Sequence, residues 1–86
     1  MIMVDGLDPE YLSMCPAPRL EELAKAGSRS NVRGLMPSVT NVNNVSLVTG
    51  SYPENHGITS NYWLDRDRDS EYYMESAEYI KSESMF

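Results

Sequence analysis

The residues best suited to chemistry in this chain are a threonine, an aspartate and a set of asparagines. Thr40 lies in the run Pro37-Ser38-Val39-Thr40-Asn41-Val42-Asn43-Asn44-Val45-Ser46-Leu47-Val48-Thr49-Gly50, where a loop meets a possible helix. A helix start offers unpaired N–H groups and a partial positive charge, which attract phosphate. A threonine hydroxyl is a weak nucleophile unless a base or a metal activates it. No lysine or cysteine stands near Thr40, so metal coordination is the expected route. The other role for Thr40 is a plain helix cap. Asp5 follows the apolar run Met1–Val4 and precedes Gly6. At the carboxyl end of a strand an acid is well placed to hold a metal; Asp-Gly equally begins a turn. Asn41, Asn43, Asn44, Asn55 and Asn61 surround the threonine segment. Their amides suit either an anionic oxygen or turns and caps. His56, the single histidine, has no second ligand at helical spacing, so a turn-stabilising role is expected of it.

These residues need elements to position them. Met1–Val4 reads as a buried strand entering the Asp5-Gly6 turn. Asp8-Pro9 starts a short helix over residues 9–13. Pro18–Ala26 is the clearest helix, with Leu20, Leu23 and Ala24 on one face and Gly27 as its stop. Ser28–Met36 is expected to be a second strand, giving the βαβ pattern of a parallel sheet. Residues 40–49 stay undecided: Val42, Val45 and Val48 recur every three residues, yet Asn, Val, Ser and Thr are poor helix formers. Tyr62–Leu64 and Tyr72–Met74 flank Asp65–Ser70 as a hairpin.

Composition narrows the classes. Eighty-six residues make at most one small domain, and a chain this short has marginal independent stability. One cysteine excludes an intrachain disulfide, and one histidine excludes a multi-histidine metal site. No apolar run approaches a membrane span, and no basic start leads into a long apolar stretch, so neither membrane insertion nor a secretory leader is expected and a cytoplasmic location is. The net charge of −6 opposes non-specific nucleic-acid binding. Most of it lies in residues 44–86, where eight acids face three bases.

Two stretches together resemble a known family. Val4-Asp5-Gly6 is followed 35 residues later by Thr40 within the Met-Pro-Ser-Val-Thr-Asn run, and then by Ser51-Tyr52-Pro53-Glu54-Asn55-His56-Gly57-Ile58. This order and spacing resemble the N-terminal part of the alkaline phosphatase superfamily, within it the type I phosphodiesterase and nucleotide pyrophosphatase group. Asn41 and the Asn43-Asn44 pair are most similar to the phosphonoacetate hydrolases of that group. Val42 stands where a proline is usual.

The resemblance implies an α/β fold: the N-terminal portion of an alkaline-phosphatase-like α/β/α sandwich with a mainly parallel sheet, residues 1–86 being the nucleophile-bearing part of the catalytic domain. It implies two zinc ions, with Asp5 and Thr40 as ligands and the remaining ligands outside these residues. Thr40 would be the nucleophile. Asn61 would contact a phosphoryl oxygen, and Asn41 would help bind substrate. The substrate would be a small phosphonate or phosphoester. The expected reaction is cleavage of the carbon–phosphorus bond of phosphonoacetate through a phosphothreonine, the segment alone being inactive. A nucleotide pyrophosphatase or phosphodiesterase using the same residues is the alternative. An inactive stub serving as an interaction module is a third reading.

Overall fold

The computed structural model describes residues 1–86, in two compact units, Met1–Arg33 and Gly34–Phe86. The first carries α1 (Tyr11–Met14) and α2 (Pro18–Ala26). Asp8 starts α1 differently from expectation. Its carboxylate accepts from the Glu10 N–H at 2.8 Å and its carbonyl from the Tyr11 N–H at 3.0 Å. Pro9 and Glu10 are thereby held in a turn, and the helix begins two residues later than Pro9 suggests. α2 keeps its expected limits, with proline in its first turn, Glu21 near its start and Lys25 near its end. Its apolar face is not buried: Leu20 and Leu23 are exposed and only Ala24 is half-buried.

The expected parallel pair is absent. Neither Met1–Val4 nor Ser28–Met36 is a strand, and the only sheet is a two-stranded antiparallel one. A strand exists through its ladder. Neither run has a pairing partner in these residues, so Ile2 and Val32 stand about nine-tenths exposed.

The second unit holds α3 (Thr40–Thr49), α4 (Pro53–His56), β1 (Tyr62–Asp65), β2 (Ser70–Tyr73) and a 3₁₀ turn at Ala77–Tyr79. α3 settles the ambiguous segment as a helix, and the reason is visible in its side chains. Val42 is fully buried. The residues that oppose helix formation usually do so by bonding to the backbone in other conformations. Here Asn43, Ser46 and Thr49 each bond the carbonyl four residues back, of Val39, Val42 and Val45, at 3.2, 2.7 and 2.8 Å. That bond is compatible with the helix. Gly50 then ends it at φ 63°, where a side chain would be strained.

The hairpin pairs Tyr62 with Tyr73 and Trp63 with Tyr72. Tyr62 and Tyr73 meet edge to face at 5.2 Å on one side, and Trp63 packs on Tyr79 at 5.1 Å. Asp65 closes the turn by accepting from the N–H groups of Asp67 and Arg68. The core of this unit is small: Val42 and Ile58 with the buried His56.

Candidate active site

Thr40 is the first helical residue of α3, not its cap; that position belongs to Val39, whose side chain cannot accept a hydrogen bond. The missing acceptor comes from a distance. Asn61 Oδ1 accepts from the Asn41 N–H at 3.0 Å, the bond a capping side chain ordinarily makes to the second residue of a helix. The first turn thus takes its acceptor from Asn61, and Thr40 sits exposed at the positive end of the helix dipole.

Three bonds hold Asn61 there. Its carbonyl accepts from the Met74 N–H at 2.9 Å, extending the hairpin ladder by one step. The Met74 carbonyl accepts from Asn41 Nδ2 at 3.3 Å. Asn41 N–H completes the circuit through Asn61 Oδ1. The base of the hairpin and the start of α3 thus form one closed hydrogen-bonded ring. Because Oδ1 is engaged on the helix, Nδ2 is the edge of the Asn61 amide suited to meet an oxyanion. The backbone N–H after Thr40 is engaged by Asn61, and the Asn41 amide by Met74.

Asp5 lies in the first unit, exposed, in a turn with Gly6 at φ 71°. It follows no strand, so the turn geometry that Asp-Gly favours is the one observed.

His56 is fully buried and closed on both nitrogens. Nδ1 accepts from the Ile58 N–H at 3.1 Å. Nε2 faces Ser46 Oγ at 2.8 Å, and Ser46 in turn donates to the Val42 carbonyl at 2.7 Å. Nε2 must then carry the proton, which fixes one neutral tautomer. Burial pushes the imidazole pKa below its ordinary 6.5. The expected structural role holds, and the partner on α3 is Ser46, which the sequence reading did not single out. The signal available was a serine ten residues before a histidine across a Gly50 turn, too loose to read alone.

No three or more His, Cys, Asp or Glu side chains gather into a metal-holding group. With the only imidazole closed, the donors in these residues fall short of a zinc centre.

The comparisons with known proteins bear on this arrangement. The family model for type I phosphodiesterase/nucleotide pyrophosphatase matches residues 1–84. The chain belongs to the type I phosphodiesterase/nucleotide pyrophosphatase family. Among its relatives, the bis(5'-adenosyl)-triphosphatase enpp4 of Xenopus laevis is 36% identical over 75 residues, 86% of this chain and 17% of that protein. The ectonucleotide pyrophosphatase/phosphodiesterase C27A7.3 of Caenorhabditis elegans is 41% identical over 66 residues, 76% of this chain and 9% of that protein. The human ectonucleotide pyrophosphatase/phosphodiesterase family member 1 is 34% identical over 86 residues, 96% of this chain and 9% of that protein. The chain spans less than a fifth of the length of these relatives of the family. No solved structure matches it. No helix is long and apolar enough to cross a membrane.

Proposed function

We propose that this chain carries the nucleophile segment of a nucleotide pyrophosphatase or phosphodiesterase. The carrying observation is Thr40 at the exposed start of α3, with Asn61 fixed beside that start by the hairpin base. Thr40 Oγ1 attacks phosphorus, its proton passes to a base, and the bond to the leaving oxygen breaks, leaving a nucleotidyl-threonine phosphodiester that water hydrolyses to release the nucleotide. The α3 dipole favours the phosphoryl group at its N-terminus, and Asn61 Nδ2 donates to a phosphoryl oxygen as charge develops.

The relatives named above act on nucleotides by their names, which favours this substrate class over phosphonoacetate. The asparagine pair that pointed to the phosphonate enzyme also has another use. Asn43 is engaged on Leu35 and Val39, within its own loop and helix. We also propose Asp5 and Thr40 as two ligands of a zinc centre whose other donors lie outside residues 1–86. Bound metal would supply Lewis-acid polarisation. The finer fold expectation, a mainly parallel α/β/α sandwich, is part of the same proposal. The unpaired, exposed runs around Ile2 and Val32 support it, and protected amides at residues 2–4 in the full-length product would be its mark.

The test uses the full-length gene product with a nitrophenyl nucleotide ester and, separately, phosphonoacetate. The ester should turn over, phosphonoacetate should not, and Thr40→Ala should lower kcat by about 10³-fold or more. Zinc content should stay near wild type in Thr40→Ala and fall in Asp5→Asn. Near-normal kcat in Thr40→Ala overturns the nucleophile. Phosphonoacetate turnover alone restores the phosphonate reading. No hydrolysis of either substrate favours the interaction module.

A further inference from the structure

We propose that Asn43 is a positioning residue for Thr40, acting through the peptide that joins Val39 to Thr40. This rests on Thr40 being the nucleophile, as proposed above.

Asn43 holds both ends of the loop that delivers Thr40. Its Oδ1 accepts from the Leu35 N–H at 2.8 Å, where the loop begins. Its Nδ2 donates to the Val39 carbonyl at 3.2 Å, where the loop ends, and its own backbone N–H donates to that same oxygen at 3.3 Å. The Val39 carbonyl belongs to a planar unit that includes the Thr40 nitrogen and Cα. Two donors converging on its oxygen fix the tilt of that plane. The tilt sets where the Thr40 Cα lies and the direction in which its hydroxyl projects. An attack in line on phosphorus depends on that direction, and a shift of about 1 Å in a reacting group costs about 10²-fold in rate.

The amide is itself confined. A Cβ on Gly34 would lie 3.2 Å from Asn43 Oδ1 and 3.5 Å from Ser38 Oγ. Asn43 is half-buried, and both of its polar atoms are engaged, so the amide has little room to give. The residue type follows from the task. One rigid planar group must accept at one end and donate at the other. Aspartate accepts from Leu35 but sets a second lone pair against the Val39 carbonyl. Glutamine carries the same two ends on a longer arm. Asn43 is also distinct from the Asn41–Asn61–Met74 ring: its side-chain amide bonds Leu35 and Val39, so it acts on the loop before Thr40 while the ring acts on the helix after it.

The experiment is rapid mixing of the full-length gene product with the nitrophenyl nucleotide ester, following the burst of nitrophenolate. Burst amplitude counts competent sites, and burst rate reports attack by Thr40. For Asn43→Ala and Asn43→Asp the rate per competent site should fall about 10- to 100-fold, with KM within about threefold of wild type. Asn43→Gln should recover part of the loss. Gly34→Ala, which removes no group and only presses on the amide, should slow the burst about threefold or more.

A smaller burst amplitude with a rate per site within twofold of wild type would make Asn43 purely structural and overturn the proposal. If Asn43→Ala does not fold, Asn43→Asp and Gly34→Ala carry the same decision. An inactive wild type, or an active Thr40→Ala, overturns the nucleophile itself. Thr40→Ala inactive with Asn43 variants at normal rate overturns the positioning role alone.

Discussion

The two ends of α3 are held in opposite ways. Its last turns hold themselves and the segment just after them: Ser46 and Thr49 bond carbonyls one turn back, Ser46 also meets His56, and Thr49 meets Ser51 at 2.9 Å. Its first turn takes its acceptor from Asn61, twenty residues beyond Asn41, and its loop from an amide on its own fourth residue. Local hydroxyls tie a helix to its neighbour. The remote cap bonds the N–H that directly follows the helix's first residue, and that residue is Thr40. The difference separates an end tied to its own neighbourhood from the end proposed to carry the nucleophile, within ten residues.

The sharpest way to break that comparison is Asn61→Asp. The carboxylate keeps an acceptor for the Asn41 N–H and suits the helix dipole, but it cannot donate. Thermal stability should stay close to wild type, while kcat at saturating nucleotide ester falls about 10²- to 10³-fold. Unchanged kcat would mean that Asn61 is a cap and nothing more. Ser46→Ala probes the other end. It removes the acceptor of a fully buried imidazole N–H, so a loss of about 1–3 kcal/mol in unfolding free energy is expected. Its kcat per competent site should stay within about twofold of wild type. A rate loss as large as that of Asn61→Asp would erase the division between the two ends.

The smallest effect is in pH. Burial lowers the pKa of His56 in the folded chain below 6.5, so the unfolded chain takes up the proton first. The contribution of His56 to stability is full above about pH 6.5 and declines as pH falls below it. The surroundings do not offset this: α3 has no titratable side chain, Glu54 on α4 is exposed, and Lys81 meets His56 through its backbone N–H. Tm should fall on acidification from neutrality to about pH 5, and His56→Gln should flatten that slope while lowering Tm throughout. An equally steep slope in His56→Gln would assign the effect to the carboxylates.

What could be read in the sequence was what local chemistry decides. Pro18, Glu21, Lys25 and Gly27 bound α2 because caps and dipoles act within a turn. The aromatic pairs flanking Asp65–Ser70 gave the hairpin for the same reason. Residues 40–49 could not be decided, because their helix depends on burying Val42 and on hydroxyls choosing the carbonyl four back. The parallel pair does not form within these residues, because an apolar run says nothing about whether a ladder partner is present. In the candidate site, the roles expected of Thr40 and Asn61 came from the resemblance to the family. Their coupling through Asn41 and Met74 did not, since it crosses 20 and 33 residues with no periodic trace.

The hairpin therefore acts as a ruler for a helix that precedes it in the chain. Side chains alternate across a strand, so a slip of one residue between β1 and β2 turns a whole face over. Met74 would no longer meet the Asn61 carbonyl, and the amide that caps α3 would leave its place. The Tyr62–Tyr73 and Trp63–Tyr72 pairings, and the Asp65 turn that sets their count, thus guard the geometry at Thr40 without coming near it in sequence. Errors in strand alignment would be felt as errors in aim.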